Sequence, residues 1–188
     1  GHIAGNIYDY LDDNGVMVHK YGPHAFHTNN KKVWDYLSNF TQWHFYSHRV
    51  KVVIEGVEAT LPFNLDTIEE LFPKELAASY TEKLISCYGF GGKVPVLELV
   101  KNDDPALQFL GQYVYDHVYA GYTAKQWGVA PEDLDGSVTA RVPVYVSRDD
   151  RYFQDKYQGI PLHGYTRMVE NILNHPNIEV HLNSEFDG

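Results

Sequence analysis

A mixed α+β (α/β) fold, with a central helical domain flanked by antiparallel β-sheet, is predicted by three features of the sequence. Apolar residues recur at helical spacing through the centre, from about Asp66 to Trp127. Segments on both sides alternate apolar and polar residues, as half-buried strands do. No internal repeat, low-complexity tract or heptad array offers another architecture. Both ends look cut from something larger, the first beginning in a Gly5-Asn6 turn and the last following an alternating stretch.

Each element follows from local chemistry. Met17–Lys20 is expected as a short strand entering the Lys20–Asn29 segment. Lys31–Phe40 places Val33, Tyr36, Leu37 and Phe40 on one helical stripe. Arg49–Glu55 and Val57–Phe63 alternate around Gly56 and predict a hairpin. Asp66, with Glu69 three residues on, resembles a capping box that opens a short helix. Pro73–Tyr88 is expected as a longer helix closed by Gly89, and Pro95–Lys101 as a shorter one. Asp103-Asp104-Pro105 combines an acidic cap with proline at the first helical position. That helix should reach Tyr119, burying Leu107, Leu110, Val114 and Val118. Val129–Thr139 reads as an exposed mobile loop, and Val142–Val146 as a strand that Pro143 places near an edge. Gly164–Asn174 is a helix stopped by Pro176, and Ile178–Leu182 alternates like a strand.

Composition excludes several classes. At 188 residues the chain exceeds the usual domain size of about 100–150, so one or two packed units fit. Fifteen Tyr against nine Phe supply many rings with a polar tip, which suits binding clefts. A net charge of −10 repels polyphosphate and argues against nucleic acid. No run approaches the roughly 20 apolar residues of a bilayer span, so no membrane insertion is expected. The first residues lack the basic start and apolar core of a signal peptide. One cysteine, Cys87, excludes an internal disulfide and fits a reducing, cytoplasmic setting.

Lys20-Tyr21-Gly22-Pro23-His24-Ala25-Phe26-His27-Thr28-Asn29 packs a turn, two imidazoles, an aromatic ring and a hydroxyl into one short segment. It reads as a binding-site loop in which His24 offers a ring nitrogen or its backbone to a planar or anionic ligand, or as a loop with ordinary hydrogen-bonded imidazoles. Neither His24 and His27 nor His44 and His48 brings the further ligands that a metal site needs, and none is expected. Tyr115, Tyr119 and Tyr122 share a helical face, which serves either as core or as a face partly open for stacking on a base or sugar. Arg141, Arg148 and Arg151 are a local concentration of guanidinium groups for a small anion. Arg141 follows a glycine-containing loop and can close over a diphosphate, with Tyr152 donating to the same phosphates. No Gly-x-Ser-x-Gly or P-loop occurs, so binding groups are present without a reactive centre, which points to a cofactor.

The histidine segment, Tyr122-Thr123-Ala124-Lys125-Gln126-Trp127 and Lys156-Tyr157-Gln158-Gly159-Ile160-Pro161 together resemble signatures of UDP-galactopyranose mutases, in order and in spacing. The resemblance runs from Ile3-Ala4-Gly5-Asn6 to Val180-His181-Leu182. It implies a Rossmann-like FAD domain interrupted by a helical domain and an antiparallel sheet. The chain would then divide into a remnant of the FAD domain (1–30), the helix and hairpin of the sheet domain (31–65), a helical domain (66–128), and a mobile loop with strands and a return element (129–188). The implied activity is interconversion of UDP-galactopyranose and UDP-galactofuranose for cell-surface polysaccharide, through an adduct at N5 of reduced FAD. Gly5 and Asn6 would lie by the FAD pyrophosphate, with His24, Phe26 and His27 at the isoalloxazine. Asn64 would lie near the substrate, Tyr122 would stack on uracil and Trp127 would border the cleft. Arg141 would neutralise the diphosphate and Tyr152 would donate to it; His24, His27 and Arg141 would be the catalytic set. A homodimer is compatible with this family. Ala4 departs from the family pattern, which commonly has glycine there. The missing Gly-x-Gly-x-x-Gly turn leads us to expect this piece to be colourless and inactive alone. Two alternatives stand beside the mutase: another flavoprotein resembling amine oxidases, and a non-catalytic nucleotide-sugar-binding module.

Overall fold

Capping chemistry and apolar spacing set most of the helices. The computed structural model describes residues 1–121, 125 and 143–184. These fall into two compact units, Gly1–His48 with Phe153–Gly188, and Arg49–Tyr152.

In the first unit, β1 (Asp9–Leu11) pairs antiparallel with β2 (Met17–His19). A three-stranded sheet joins β3 (Phe26–Thr28), a strand at Tyr157–Pro161, and β4 (Trp43–His44), with the Tyr157–Pro161 strand in the middle. Phe26 therefore lies within what the sequence suggested was only a loop. Register decides the two faces: Phe26 sits opposite Gly159, and His27 opposite Gln158. Side chains alternate across a strand, so Phe26 and His27 point to opposite sides. On the Phe26 side, Trp34 of α1 (Lys31–Leu37) and Trp43 stack at 4.5 Å, with Phe26 5.1 Å from Trp43 and Tyr157 5.4 Å from Trp34. A Cβ on Gly159 would meet the His44 carbonyl at 3.0 Å and the Trp43 ring at 3.3 Å, so a side chain there would push β4 and its ring back by a few tenths of an ångström. The stripe expected on α1 is not its buried face: Val33 and Tyr36 are exposed, and Trp34 turns inward. Large rings with partners of matching size outweigh the apolar spacing.

The second unit carries the main core. The hairpin β5 (Val50–Ile54) and β6 (Val57–Leu61) leads to α2 (Leu65–Leu71) and α3 (Lys74–Tyr88). β7 (Lys93–Pro95), α4 (Val96–Val100) and α5 (Pro105–Val114) follow, and the chain returns through β8 (Pro143–Tyr145). The Tyr157–Pro161 strand is β9, and α6 is Tyr165–Leu173. Leu107, Leu110 and Val114 are fully buried with Leu84, Leu99 and Val144, as the periodicity predicted. Beyond α5 the coil widens to a π turn over Tyr115–Tyr119.

Two sequence expectations are corrected. The cap of α2 is Asn64, not Asp66: its side chain accepts from the Asp66 and Thr67 amides, and Thr67 completes the box. Thr67 Oγ1 accepts from the Asn64 backbone amide at 3.0 Å, whereas Glu69 lies too far along the helix to do so. Ile178–Leu182 is not a strand, and Ile178, Val180 and Leu182 are exposed. Alternation makes a strand only where a neighbour takes its hydrogen bonds, and no described strand runs beside this segment.

The α4–α5 contact rests on one glycine. A Cβ on Gly111 would lie 2.5 Å from the Val100 amide nitrogen and 2.6 Å from the Leu99 carbonyl carbon. Neither can move without displacing α4. Gly111→Ala should therefore lower stability by about 1–3 kcal/mol despite its better helix propensity. An unchanged urea midpoint in this variant would contradict that packing.

Candidate active site

The expected cofactor residues all lie in the first unit. Gly5 and Asn6 are exposed in a short 3₁₀ turn, Gly5–Ile7, that follows Ala4. Ala4 has φ of 65°, in the left-handed region where glycine is unstrained. The glycine that the family pattern places here therefore has a backbone reason.

Beside this turn is a cluster that sequence reasoning missed. The His2 ring lies 4.1 Å from the Tyr8 ring, and its Nε2 is 2.8 Å from the Tyr21 hydroxyl. Lys20 places its ammonium 5.7 Å from the Tyr8 ring centre and 5.4 Å from that of Tyr21. A cation over two electron-rich rings is a favourable arrangement. Its signal was the Lys20-Tyr21 pair at the start of the histidine segment.

His24 is half-buried. Its backbone amide donates to His19 Nδ1 at 3.0 Å, and its own Nδ1 is buried with no partner among the described residues. A buried imidazole nitrogen left unpaired is uncommon and asks for a ligand group or water. His19 meets the Tyr165 ring edge-on at 5.7 Å, and burial pushes the Tyr165 hydroxyl up to about 12.

His27 projects from the other side of β3. Its ring stacks on Phe153 at 3.7 Å and 11°, and its Nδ1 is 2.6 Å from Asp155 Oδ2. Asn29 donates to Asp155 Oδ1 at 2.5 Å and accepts from the Lys156 amide at 2.9 Å. Gln158, buried beneath, donates to the Phe153 and Asp155 carbonyls. These polar partners come from the Phe153–Lys156 turn, which sequence reading took only as a motif. Phe26 is committed to the Trp34 and Trp43 stack on the opposite side.

The expected substrate residues Asn64 and Tyr152 lie in the second unit. Asn64 is wholly buried: Oδ1 caps α2, and Nδ2 donates to the Asp149 carbonyl at 3.2 Å. Tyr152 is partly exposed. Burial, with the nearby charges of Tyr152 and Asp149, pushes the Tyr145 hydroxyl above its ordinary value. Tyr122, Trp127 and Arg141 lie outside the described residues, as does the expected loop around Val129–Thr139.

The expected concentration of free guanidinium groups is corrected for two of its three members. Arg148 is held by Asp66 and by both carboxylate oxygens of Glu69, and hydrogen bonding from that guanidinium holds the Glu69 carboxyl below its usual range. Arg151 pairs with Asp149 at 2.6 Å. Helix α2 turns Asp66 and Glu69 toward the returning chain, a proximity that sequence cannot show. Of the two uses open to the tyrosine face, Tyr119 is buried and Tyr115 packs on the core, the commoner one, while Tyr122 lies outside the described residues. Among the described residues no group of three or more potential metal ligands occurs. No helix among them is long and apolar enough to cross a membrane.

Comparison with known proteins bears on these residues. Residues 117–188 match the family model of UDP-galactopyranose mutase, and residues 1–40 match that of an NAD(P)-binding Rossmann-like domain. A probable UDP-galactopyranose mutase of Klebsiella pneumoniae is 42% identical over 98% of this chain and 48% of its own length. This chain is a relative of the UDP-galactopyranose mutases. The UDP-galactopyranose mutase of Mycoplasma pneumoniae is 33% identical over 96% of the chain and 46% of its own length. A dTDP-fucopyranose mutase of Escherichia coli is 40% identical over 99% and 49%. The chain thus spans about half the length of these relatives.

Two measurements check the local physics. Ala4→Gly relieves a left-handed alanine worth about 1–2 kcal/mol and adds about 0.4–1 kcal/mol of unfolded-state entropy. Stability should rise by up to about 1.6 kcal/mol in chemical denaturation. For Tyr165 the folded value lies above the unfolded one near 10. Its stabilisation is complete below about pH 10 and is lost as pH climbs through about 12. Tyr165→Phe should flatten the fall in urea midpoint across that window, and an identical slope would count against the burial of this hydroxyl.

Proposed function

We propose that the protein carrying this chain is a FAD-dependent isomerase that interconverts UDP-galactopyranose and UDP-galactofuranose. The observation that supports this most is the 42% identity to a probable UDP-galactopyranose mutase along 98% of the chain. The described residues fit a flavin in chemical kind: a buried, unpartnered nitrogen on His24 and a carboxylate-held imidazole at His27. The cationic and aromatic cluster of Lys20, Tyr8 and Tyr21 beside the Gly5–Ile7 turn suits an anionic group.

Bound and reduced, the flavin would supply the nucleophile for the sugar's anomeric carbon, with no net redox change. Gly5 and Asn6 would approach its pyrophosphate through backbone, and His24 and His27 would orient the ring system. Phe26 would act through its stack, fixing the strand that carries His27. Arg141 would neutralise the substrate diphosphate, with Tyr152 donating to it. Tyr122 would stack on the base and Trp127 would border the sugar. Asn64 would serve by holding the Asp149 carbonyl and so the segment leading to Tyr152.

A second substrate pair is favoured by one observation. The dTDP-fucopyranose mutase is 40% identical, almost as similar as the galactose relative. The same residues would then accept a methylated base and a 6-deoxy sugar.

The deciding experiment incubates the protein with UDP-galactofuranose and separately with the dTDP-fucofuranose equivalent, each with and without dithionite, and follows the pyranose form by chromatography. Conversion that requires reduction is expected, and the pair with the larger kcat/KM names the substrate. Arg141→Ala should lower kcat/KM by roughly a hundredfold. No conversion of either sugar by a flavin-loaded, reduced protein would overturn the assignment.

A further inference from the structure

We propose that Asp155 is a positioning residue that fixes His27 as the Nδ1–H tautomer, leaving the Nε2 lone pair as a hydrogen-bond acceptor for a bound ligand. The proposal deepens the function proposed above, because the ligand intended is the flavin.

The direction of every hydrogen bond in the network follows from one amide whose role is fixed. The Lys156 backbone N–H can only donate, so the Asn29 atom facing it at 2.9 Å is the oxygen. The Asn29 NH₂ then points at Asp155 Oδ1, 2.5 Å away, and donates. Asp155, acceptor on both oxygens, takes its second hydrogen from His27 Nδ1 at 2.6 Å. In a neutral imidazole the proton held at Nδ1 leaves Nε2 bare. Phe153 under the ring at 3.7 Å and 11° holds the ring plane, the bond to Asp155 keeps Nδ1 rather than Cδ2 on that edge, and Gln158 anchors the carbonyls on both sides of that turn. Nε2 has no partner among the described residues, and His27 is about a third exposed. A carboxylate that selects which nitrogen of an imidazole is presented also appears around metal-bound histidines, for the same reason.

The same geometry makes a sharp prediction for Asp155→Asn. Asn29 still donates, so the new amide must turn its oxygen to Asn29 and its NH₂ to His27. An NH₂ facing Nδ1 forces the ring proton to Nε2. One isosteric change should therefore reverse the tautomer, a result that lost packing would not produce.

Proton-coupled nitrogen NMR on protein with ¹⁵N-labelled histidine, at a pH where the ring is neutral, reads this directly; His27→Gln assigns the signal. The wild type should carry its proton on Nδ1 and Asp155→Asn on Nε2. Asn29→Ala, which frees the amide to rotate, should restore an Nδ1–H population in the Asp155→Asn background. An Nε2–H wild type, or the same tautomer in wild type and Asp155→Asn, would overturn the proposal. Adding FAD and dithionite should then move the Nε2 resonance in the wild type. If the tautomer reverses as expected while FAD leaves Nε2 unmoved, the Asp155 network stands and the flavin reading of His27 fails.

Discussion

The Asp9 carboxylate, 3% exposed, lies across the start of a helix that begins 156 residues later in the chain. It accepts from the Tyr165 amide at 2.6 Å and from the Thr166 amide at 2.8 Å, while Thr166 Oγ1 bridges the Asp9 backbone amide and carbonyl. The first amides of α6 have no partners within the helix, and a negative charge there also meets the positive end of its dipole. Gly164 makes the approach possible, because a Cβ would sit 2.8 Å from the carboxylate. Without this cap the first unit would have a buried charge and orphaned amides at the same spot, a cost far above that of an ordinary surface pair. The β1–β2 ribbon and the return helix are thereby tied together, and with them the amino-terminal turn that holds Gly5 and Asn6.

Around that tie, β9 sorts the chemistry by face. Its glycine admits the Trp43 and Trp34 stack on one side, and its buried glutamine organises the Phe153–Lys156 turn on the other. Aromatic packing holds β3 on one face, while His27 on the other is held by Phe153 and Asp155. This sheet therefore has a dry face of stacked rings and a polar face that carries the His27 and Asp155 network.

In the second unit the segment from Pro143 to Ser147 lies between β7 and the Phe63–Leu65 backbone. Arg148 and Arg151, just beyond it, are neutralised by carboxylates of the same unit. With a net charge of −10 over the chain, cations are in the minority, and these two are already engaged in internal pairs. Pairing Arg148 and Arg151 with Asp66, Glu69 and Asp149 orders the approach to Tyr152.

Helices with strong punctuation were legible from the sequence: Gly89 closes α3, Asp104-Pro105 opens α5, and Leu107, Leu110 and Val114 are the buried face of α5. The Gly56 hairpin was equally clear, because caps, turns and periodicity act within a few residues. The residue types of the candidate site were visible too, since His24, His27 and Tyr152 stand in dense, unusual motifs. What those side chains do was decided only by contacts far along the chain. Asp155 reaches His27 across 128 positions, Arg148 reaches Asp66 across 82, and Asp9 caps α6 across 156. Short strands such as β3 and β4 also went unseen, for a strand of two or three residues exists only through the neighbour that accepts its hydrogen bonds. Local chemistry determined the helices, the turns and the choice of reactive side chains; tertiary structure decided which charges are paired, which nitrogens are presented and which rings are buried, because those outcomes depend on partners that sequence proximity does not reveal.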